Sequence, residues 1–231
     1  MPIKINKPLG MTPLELITEY KKKNNITEKM SFAGRLDPMA HGEMILLIGN
    51  ECKNQNQYCG KDKIYRFEIL KNIKTDSLDI LGIFENIENI ENIEHKKKYI
   101  GKFKQKYPKY SSINVNGKPL WWWSKKKLLD KIEIPEKEVE IYNSKLLETT
   151  KIKSNLLLQH IKLKLSKLSE KSKKNFRYYE ILHQWEKKLN NENNVYDILK
   201  YEMKVSSGTY IRKICEEMGG IAYDIERINI I

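Results

Sequence analysis

Residues 33–42 read Ala33-Gly34-Arg35-Leu36-Asp37-Pro38-Met39-Ala40-His41-Gly42. Gly34 and Pro38 place Asp37 in a tight turn, and the apolar run at 44–48 behind it is typical of a strand. A turn at the end of a strand can hold a side chain rigidly towards a cleft, as catalysis requires. Taken alone, such a segment is more often an ordinary turn, because Asp and Pro favour turns for local reasons.

The composition limits the class of protein. With 231 residues, 40% of them hydrophobic, the chain is long enough for one large domain with a real core. Its 43 Lys and Arg against 30 Asp and Glu give a net charge of +13, which favours a polyanionic partner such as nucleic acid. Thirteen Tyr and four Trp add surfaces on which unpaired bases can stack. A general richness in Lys and Asn is the alternative source of this charge.

The sequence indicates neither a metal site nor a disulfide framework nor a membrane span. Cys52, Cys59 and Cys215 lack C-x-x-C spacing, and the four His are scattered. No apolar run approaches membrane-spanning length, and the N-terminus lacks an apolar signal region. We therefore expect a soluble, cytoplasmic protein.

Local patterns predict a strand and a capped helix near the N-terminus. A short strand at residues 3–5 precedes a turn. Thr12 can cap a helix that has Pro13 at its first position and Glu15 completing a capping box. The expected buried stripe of this helix consists of Leu14, Ile17 and Tyr20.

The middle of the chain contains one clear strand and one segment of different composition. Tyr65, Phe67 and Ile69 alternate with polar residues and predict a half-buried strand over 63–70. Residues 149–194 are rich in Lys, and we interpret them as a helical insertion, a pair of helices, within a single domain at 1–231. Three further predicted elements are a biased loop at 85–94, an extended segment at 107–117 and a helix at 120–129.

The C-terminal pattern predicts a strand, a turn and a second capped helix. Residues 201–205 alternate as a strand, and 206–208 form a turn. Thr209 is expected to cap a helix that runs to about Met218. Arg212 then lies in the first turn of a helix directly after a strand, a position that commonly faces ligands.

Three side chains form a candidate catalytic set: Asp37 on a turn, Tyr65 on a strand and Arg212 at a strand–helix junction. An arginine beside a carboxylate favours its ionised form, which can act as a nucleophile or base. A tyrosine offers a flat face for a base and a hydroxyl for proton transfer. Each residue singly also fits an ordinary role, Tyr65 in the core and Arg212 in a surface ion pair.

Six segments, in order along the chain, share the motifs of one enzyme family. They are Asn6-Lys7-Pro8-x-Gly10-x-Thr12; Gly34-Arg35-Leu36-Asp37-Pro38-Met39-Ala40-His41-Gly42; Lys63-Ile64-Tyr65; Thr75-Asp76-Ser77-Leu78-Asp79-x-x-Gly82; Gly101-x-Phe103-x-Gln105-x-Tyr107-Pro108-x-Tyr110-Ser111-Ser112 with Gly117; and Ser207-Gly208-Thr209-Tyr210-Ile211-Arg212. These segments resemble those of the TruB-type pseudouridine synthases, which isomerise the uridine at position 55 in the T loop of transfer RNA. The resemblance covers most of residues 3–148 and 200–231.

The resemblance implies a role for each matched residue. Asp37 matches the catalytic aspartate, the nucleophile in breaking the N-glycosidic bond. Tyr65 matches the tyrosine that stacks on the target base, and Arg212 the arginine paired with the aspartate. The implied substrate-binding positions are Phe32, Lys63, Tyr210 and Ile225. The implied reaction detaches uracil, rotates it and rejoins it through carbon, with no cofactor and no metal.

The same resemblance sets the expected fold and partners. It implies an α/β (α+β) fold, a mixed and largely antiparallel sheet with flanking helices. The expected partner is the T stem-loop of transfer RNA, with no membrane and no obligatory protein partner, and we expect a monomer. The lysines of the 149–194 insertion are candidates for gripping RNA phosphates. They are Lys151, Lys153, Lys162, Lys164, Lys167, Lys171, Lys173 and Lys174.

The chain departs from the family pattern at three points. Phe32 stands where the family has histidine, and Asn6 replaces an aspartate. The sequence ends at Ile231, so we expect no C-terminal PUA domain. Two other functions therefore stay open: a non-catalytic RNA-binding or tRNA-folding chaperone on the same scaffold, and a guide-RNA-dependent synthase acting on ribosomal RNA.

Overall fold

A computed structural model describes residues 2–85, 100–190 and 194–231 of the protein. The strands in these ranges are β1 Ile3–Lys7, β2 Met30–Ala33, β3 Ala40–Ile48, β4 Lys63–Lys71, β5 Gly101–Lys106, β6 Asn114–Val115, β7 Lys118–Pro119, β8 Glu136–Lys153, β9 Val195–Val205 and β10 Gly220–Ile230. The α-helices are α1 Pro13–Lys23, α2 Gln55–Cys59, α3 Leu120–Lys125, α4 Ser154–Ser166, α5 Glu170–Asn175, α6 Tyr178–Lys188 and α7 Ile211–Glu217. Apart from Glu85, the predicted loop at 85–94 lies outside the described residues.

Eight of the strands form one sheet, in the order β1-β3-β10-β4-β9-β8-β5, with β2 paired to β3. The β3–β10 pair is parallel, and each other pair of strands within the described residues is antiparallel. The predicted fold class, a mixed and largely antiparallel sheet with flanking helices, is confirmed.

Alternation along β3 separates two parts of the core. Met44 and Leu46 pack into the cluster that contains residues of α1 and α7, whereas Ile45 and Leu47 pack with Ala33 on the opposite side. Successive side chains of a strand point to opposite faces, so a fully apolar strand implies cover on both sides. This strand therefore anchors the loop that precedes it from both faces of the sheet.

The first helix begins as predicted, but one predicted core residue is wrong. The Thr12 hydroxyl accepts a hydrogen bond from the Glu15 amide at 3.2 Å, and the Thr12 amide donates to the Glu15 carboxylate at 2.7 Å. Leu14 is 65% exposed, while Leu16 and Ile17 are buried. The buried stripe follows positions 13, 16 and 17 with Tyr20 half-buried beside them, and at 100° per residue Leu14 falls outside it.

The predicted cap of the second helix is also wrong. The helix α7 begins at Ile211 with Tyr210 as its cap residue, and no side chain caps it. The Thr209 hydroxyl instead donates to the Ser206 carbonyl at 2.9 Å, because the preceding turn already uses it. Arg212 nevertheless lies in the first turn of the helix, as expected from its place after a strand.

Three helices, α4, α5 and α6, occupy residues 154–188, which we call the α4–α6 segment. Helical structure begins at Ser154 rather than at 149, because β8 pairs with β9 through Lys153. Trp185 is fully buried and its indole N–H donates to the Ile80 carbonyl at 3.0 Å. The segment thus packs against the loop that follows β4.

Several lysines of this segment have acidic neighbours. Lys162 forms an ion pair with Glu186, Lys164 with Asp224 and Lys173 with Glu170. The proposed contact of RNA phosphates with the lysines of residues 149–194 stays a prediction.

Candidate active site

The loop between β2 and β3 carries Asp37. Gly34 adopts a positive φ of 72°, a conformation that glycine reaches without steric cost. Arg227, fully buried on β10, donates through Nη2 to the Gly34 carbonyl at 3.0 Å and through Nε to the Glu43 carbonyl at 2.6 Å. A Cβ on Gly42 would lie 2.2 Å from the Arg227 carbonyl oxygen, so glycine is required at that position. The strand β10 therefore supports this loop through the side chain and the backbone of Arg227.

Asp37 and Arg212 form an ion pair at the centre of the site. The Nε atom of Arg212 lies 2.8 Å from Oδ2 of Asp37. The Arg212 side chain is 4% exposed, whereas that of Asp37 is 30% exposed and faces the cleft. The Arg212 guanidinium also donates to two backbone carbonyls, of Ser77 at 2.5 Å and of Tyr110 at 3.1 Å. These contacts fix the guanidinium and leave one edge of Asp37 open.

A second carboxylate, Asp79, faces the same guanidinium. It is buried and accepts hydrogen bonds from the Ser77 hydroxyl at 2.5 Å and the Leu81 amide at 3.0 Å. Burial raises the pKa of Asp79 to about 6, although Arg212 acts in the opposite direction. Burial would lower the pKa of Arg212, but the carboxylates of Asp37 and Asp79 outweigh it and raise that pKa. Arg212 therefore stays charged between two acids.

This pKa shift gives the first prediction, on stability. Folded Asp79 holds its proton up to about pH 6, whereas the unfolded chain releases it near the ordinary value of 3.8. The folded state binds more protons in that window, so the free energy of unfolding should fall by about 3 kcal/mol as the pH rises from about 3 to about 7. Urea denaturation at a series of pH values measures this, and Asp79→Asn should lose this component of the pH dependence.

The control for this prediction is Asp130→Asn, because Asp130 is exposed on the surface. Its pH dependence should match the wild type. An Asp79→Asn protein with the wild-type pH dependence would contradict the prediction.

A cleft of about 340 Å³ opens beside the ion pair. Among the residues that line it are six of the predicted site residues, Asp37, Lys63, Tyr65, Tyr210, Arg212 and Ile225. Phe32 is not among the residues lining this cleft. It lies half-buried on β2, and the Arg35 guanidinium lies 5.7 Å from the centre of its ring.

Tyr210 is positioned by the strand β5. Gln105 accepts a hydrogen bond from the Tyr210 amide at 2.8 Å and donates to the Tyr210 carbonyl at 3.3 Å. The ring of Tyr107 meets that of Tyr210 edge-on, with 5.6 Å between centroids. Burial, reinforced by the charge of Asp37, raises the pKa of Tyr210 to about 12. Its hydroxyl is thus protonated at neutral pH and can donate a hydrogen bond.

Two further cations lie around the cleft. Lys63 is buried and donates to the carbonyls of Cys59 at 2.8 Å and Lys61 at 2.5 Å. Burial lowers the pKa of Lys63 to about 8, and the charge of Arg227 acts in the same direction. Arg227 lies close to Tyr65, with 3.5 Å between its Nη1 and the tyrosine hydroxyl. The arrangement suits a ligand with anionic and hydrogen-bond-accepting groups.

Sequence reasoning missed two residues of this site, Asp79 and Arg227. Asp79 lies in the quoted segment 75–82, so a search for a second acid able to pair with Arg212 could have found it. Arg227 has no comparable signal, because it is one arginine in an alternating strand. The contacts of Arg227 depend on which strand and which loop lie next to β10 in the folded chain.

The described residues contain no group of three or more His, Cys, Asp or Glu that could hold a metal ion. Within the same ranges, no helix is both long enough and apolar enough to cross a membrane.

Residues 21–169 match the sequence profile of the TruB family pseudouridylate synthases, N-terminal domain. The chain belongs to this family. The TruB profile includes Asp37 and Tyr65, and it ends before the strand–helix junction that carries Arg212. The predicted family is therefore confirmed, while the role of each site residue stays a prediction.

Curated relatives in the TruB family carry the name tRNA pseudouridine synthase B. One from Fusobacterium nucleatum is 36% identical over 151 residues, which cover 63% of this chain and 52% of the relative. Another, from Mycoplasma capricolum, is 28% identical over 233 residues, covering 96% of this chain and 64% of the relative. The chain thus spans between about half and two thirds of the length of these relatives.

Solved structures show the same fold. A chain in the crystal structure of a Cbf5-Nop10-Gar1 complex matches 99% of this chain and 48% of its own length, with a TM-score of 0.56 and 16% identity. A chain in an archaeal box H/ACA sRNP Nop10-Cbf5 complex matches the same share of this chain, with a TM-score of 0.52 and 14% identity. At this level of identity the likeness concerns the fold alone.

Proposed function

We propose that this protein isomerises a uridine of RNA to pseudouridine, and that its substrate is uridine 55 in the T loop of transfer RNA. The observation that supports this most directly is the Asp37–Arg212 ion pair, which lies at the wall of a cleft lined by residues of the family motifs. The names of the curated relatives support the choice of transfer RNA.

In this mechanism Asp37 is the nucleophile. Its open carboxylate edge faces the cleft, and the Arg212 guanidinium holds the other edge in place. Attack by an Asp37 carboxylate oxygen on C1′ of the ribose forms a C1′–O bond and breaks the bond from C1′ to N1 of uracil. The freed base turns, and its C5 attacks C1′, so that the carbon–carbon bond forms and the Asp37 carboxylate leaves. C5 then loses its proton to solvent and N1 gains one, so the product has the same composition as the substrate.

The base must leave its stack before it reaches Asp37. Extruding a nucleotide from a loop costs less than extruding one from a duplex, which favours a loop uridine as substrate. In the cleft, the ring of Tyr65 offers a stacking face, and the exposed Arg35 of the lining attracts the RNA backbone. Lys63, Tyr210 and Ile225 complete the proposed pocket for the base.

The test is incubation of the purified protein with a T stem-loop RNA that carries tritium at C5 of its uridines. Formation of the new carbon–carbon bond releases the C5 hydrogen, so tritium appears in water. Release without added guide RNA supports the proposal and separates it from guide-dependent modification. Tight binding of the RNA without release would instead identify a non-catalytic RNA-binding protein.

A second prediction concerns Tyr65. Replacing it by Phe keeps the stacking face and removes the hydroxyl, so RNA affinity should be retained while the single-turnover rate falls by about 10²-fold. Replacing it by Leu should weaken both. Single-turnover kinetics with excess protein, together with RNA binding by filter retention, measure the two effects separately.

The control is Tyr201→Phe, because Tyr201 is a buried tyrosine on the adjacent strand β9. It should leave both quantities unchanged. A Tyr65→Phe protein with wild-type rate would show that the hydroxyl takes no part in proton transfer.

A further inference from the structure

Arg177 connects the α4–α6 segment to the segment at 75–82. Its guanidinium forms a bidentate contact with the Asp76 carboxylate, with Nη1–Oδ2 at 2.7 Å and Nη2–Oδ1 at 3.1 Å. Bidentate arginine–carboxylate pairs combine strength with a defined geometry. Arg177 has a positive φ of 58°, which is uncommon outside glycine and persists where surrounding contacts hold it.

Tyr110 belongs to the same cluster. Its hydroxyl donates to Asp76 Oδ2 at 3.1 Å, and the Arg177 guanidinium lies 5.0 Å from the centre of its ring. Burial, with the charge of Asp76, raises the pKa of Tyr110 to about 12, so the hydroxyl remains a donor at neutral pH. Arg177 therefore contacts both Asp76 and Tyr110, which come from separate segments of the chain.

These two segments supply the carbonyl groups that hold Arg212. One carbonyl belongs to Tyr110 itself, and the other belongs to Ser77, the residue after Asp76. A shift of either segment would move the acceptors of the guanidinium that pairs with Asp37. The path from Arg177 to Asp37 thus consists of one ion pair, two backbone carbonyls and a second ion pair.

We propose that Arg177 is a positioning residue for Arg212, acting through the two segments whose carbonyls hold the Arg212 guanidinium. The α4–α6 segment then helps to set the geometry of the cleft, in addition to packing against the rest of the chain. The expected effect on turnover rests on the proposed function, whereas the expected effect on Arg212 itself does not.

The experiment compares Arg177→Met with the wild type by two measurements. The first is hydrogen exchange at the Nε–H of Arg212, followed by NMR on ¹⁵N-labelled protein and assigned through Arg212→Lys. Because the wild-type side chain is 4% exposed, this proton should exchange slowly. In Arg177→Met it should exchange about tenfold faster or more.

The second measurement is the single-turnover rate on T stem-loop RNA. A displacement of about 1 Å in a catalytic group can lower a rate by about 10²-fold, so Arg177→Met should lose between about 10- and 100-fold with unchanged RNA affinity. Arg177→Lys, which keeps the charge but not the bidentate fork, should fall between the two proteins. If Arg177→Met fails to fold, both measurements are made on Arg177→Lys instead.

The matched control is Ser169→Ala in the same segment. The Ser169 hydroxyl contacts Glu15 of α1, so its loss weakens docking without touching Asp76 or Tyr110. Exchange at Arg212 and turnover should both stay at wild-type values in this control. An Arg177→Lys or Arg177→Met protein with the wild-type exchange rate at Arg212 would overturn the inference. A wild type inactive on RNA would refute the proposed function, while the exchange measurement would still decide the role of Arg177.

Discussion

Replacing Asp37 by Asn is expected to lower pseudouridine formation by at least about 10³-fold. The amide has the shape of the carboxylate but is a far weaker nucleophile, so attack on the sugar carbon is lost. Asp37 lies at the cleft with 30% of its side chain exposed, and Asn adds no bulk there. RNA affinity should therefore change by less than about threefold, because the attraction between the net charge of +13 and the phosphates does not depend on Asp37. Tritium release in a single turnover measures the rate.

The matched control for Asp37→Asn is Asp130→Asn, the same chemical change at an exposed position. It should retain the wild-type rate. Circular dichroism should show native secondary structure in both variants. An Asp37→Asn protein with the activity of the wild type would exclude Asp37 as the nucleophile and remove the basis of the proposed function.

Replacing Arg212 by Met is expected to cost both activity and stability. The buried guanidinium offsets the charge of Asp79 and binds two carbonyl groups, so its removal leaves buried polar groups without partners. Breaking a buried ion pair on one side typically costs about 3–5 kcal/mol in the free energy of unfolding. The rate should fall by about 10³-fold, because Asp37 loses the group that orients it. Urea denaturation and single-turnover kinetics measure the two losses.

A change of pH, or the added substitution Asp79→Asn, should alter the stability loss of Arg212→Met but not its activity loss. Without Arg212 the pKa of Asp79 rises further above its ordinary value, so the stability loss should be smaller at pH 5 than at pH 8. Adding Asp79→Asn removes the uncompensated charge and should recover part of the stability at pH 8. It should recover none of the activity, because Asp37 still lacks its partner.

The control for Arg212→Met is Arg66→Met on β4. Arg66 pairs with Glu202 at 2.8 Å, but both side chains are more than one third exposed. Pairs of this kind contribute about 1 kcal/mol or less, so Arg66→Met should leave the rate unchanged and stability nearly so. Equal losses in the free energy of unfolding of Arg212→Met and Arg66→Met would contradict the prediction that burial makes the loss of Arg212 more costly.

Local patterns in the sequence predicted the elements that depend on neighbouring residues. The capping box of Thr12 and Glu15 formed as expected, because its hydrogen bonds join residues three apart. The alternation of Tyr65, Phe67 and Ile69 likewise predicted a strand with these three side chains buried. The failure at Leu14 has the same local origin, since one helical turn does not reveal which face meets the sheet.

The family motifs extended the prediction to the site, because they record which residues act together even where they lie far apart in the chain. They named Asp37 and Arg212 as partners, and the two side chains meet at 2.8 Å. They included Asp79 without assigning it a function. Phe32 shows the limit of this approach, because a match by position does not establish that a side chain reaches the cleft.

The sequence alone determined the family, the class of fold and the identity of the central acid and arginine, because periodicity and motif order are properties of the chain itself. The tertiary structure decided the rest: the burial of Asp79 beside Arg212, the support of the loop that carries Asp37 by Arg227, and the contact of Arg177 with Asp76. Asp76 and Arg177 are 101 residues apart in the sequence, and Arg227 and Gly34 are 193 apart. Their electrostatic effect depends on distance and desolvation, and both arise only when the sheet and the α4–α6 segment pack together.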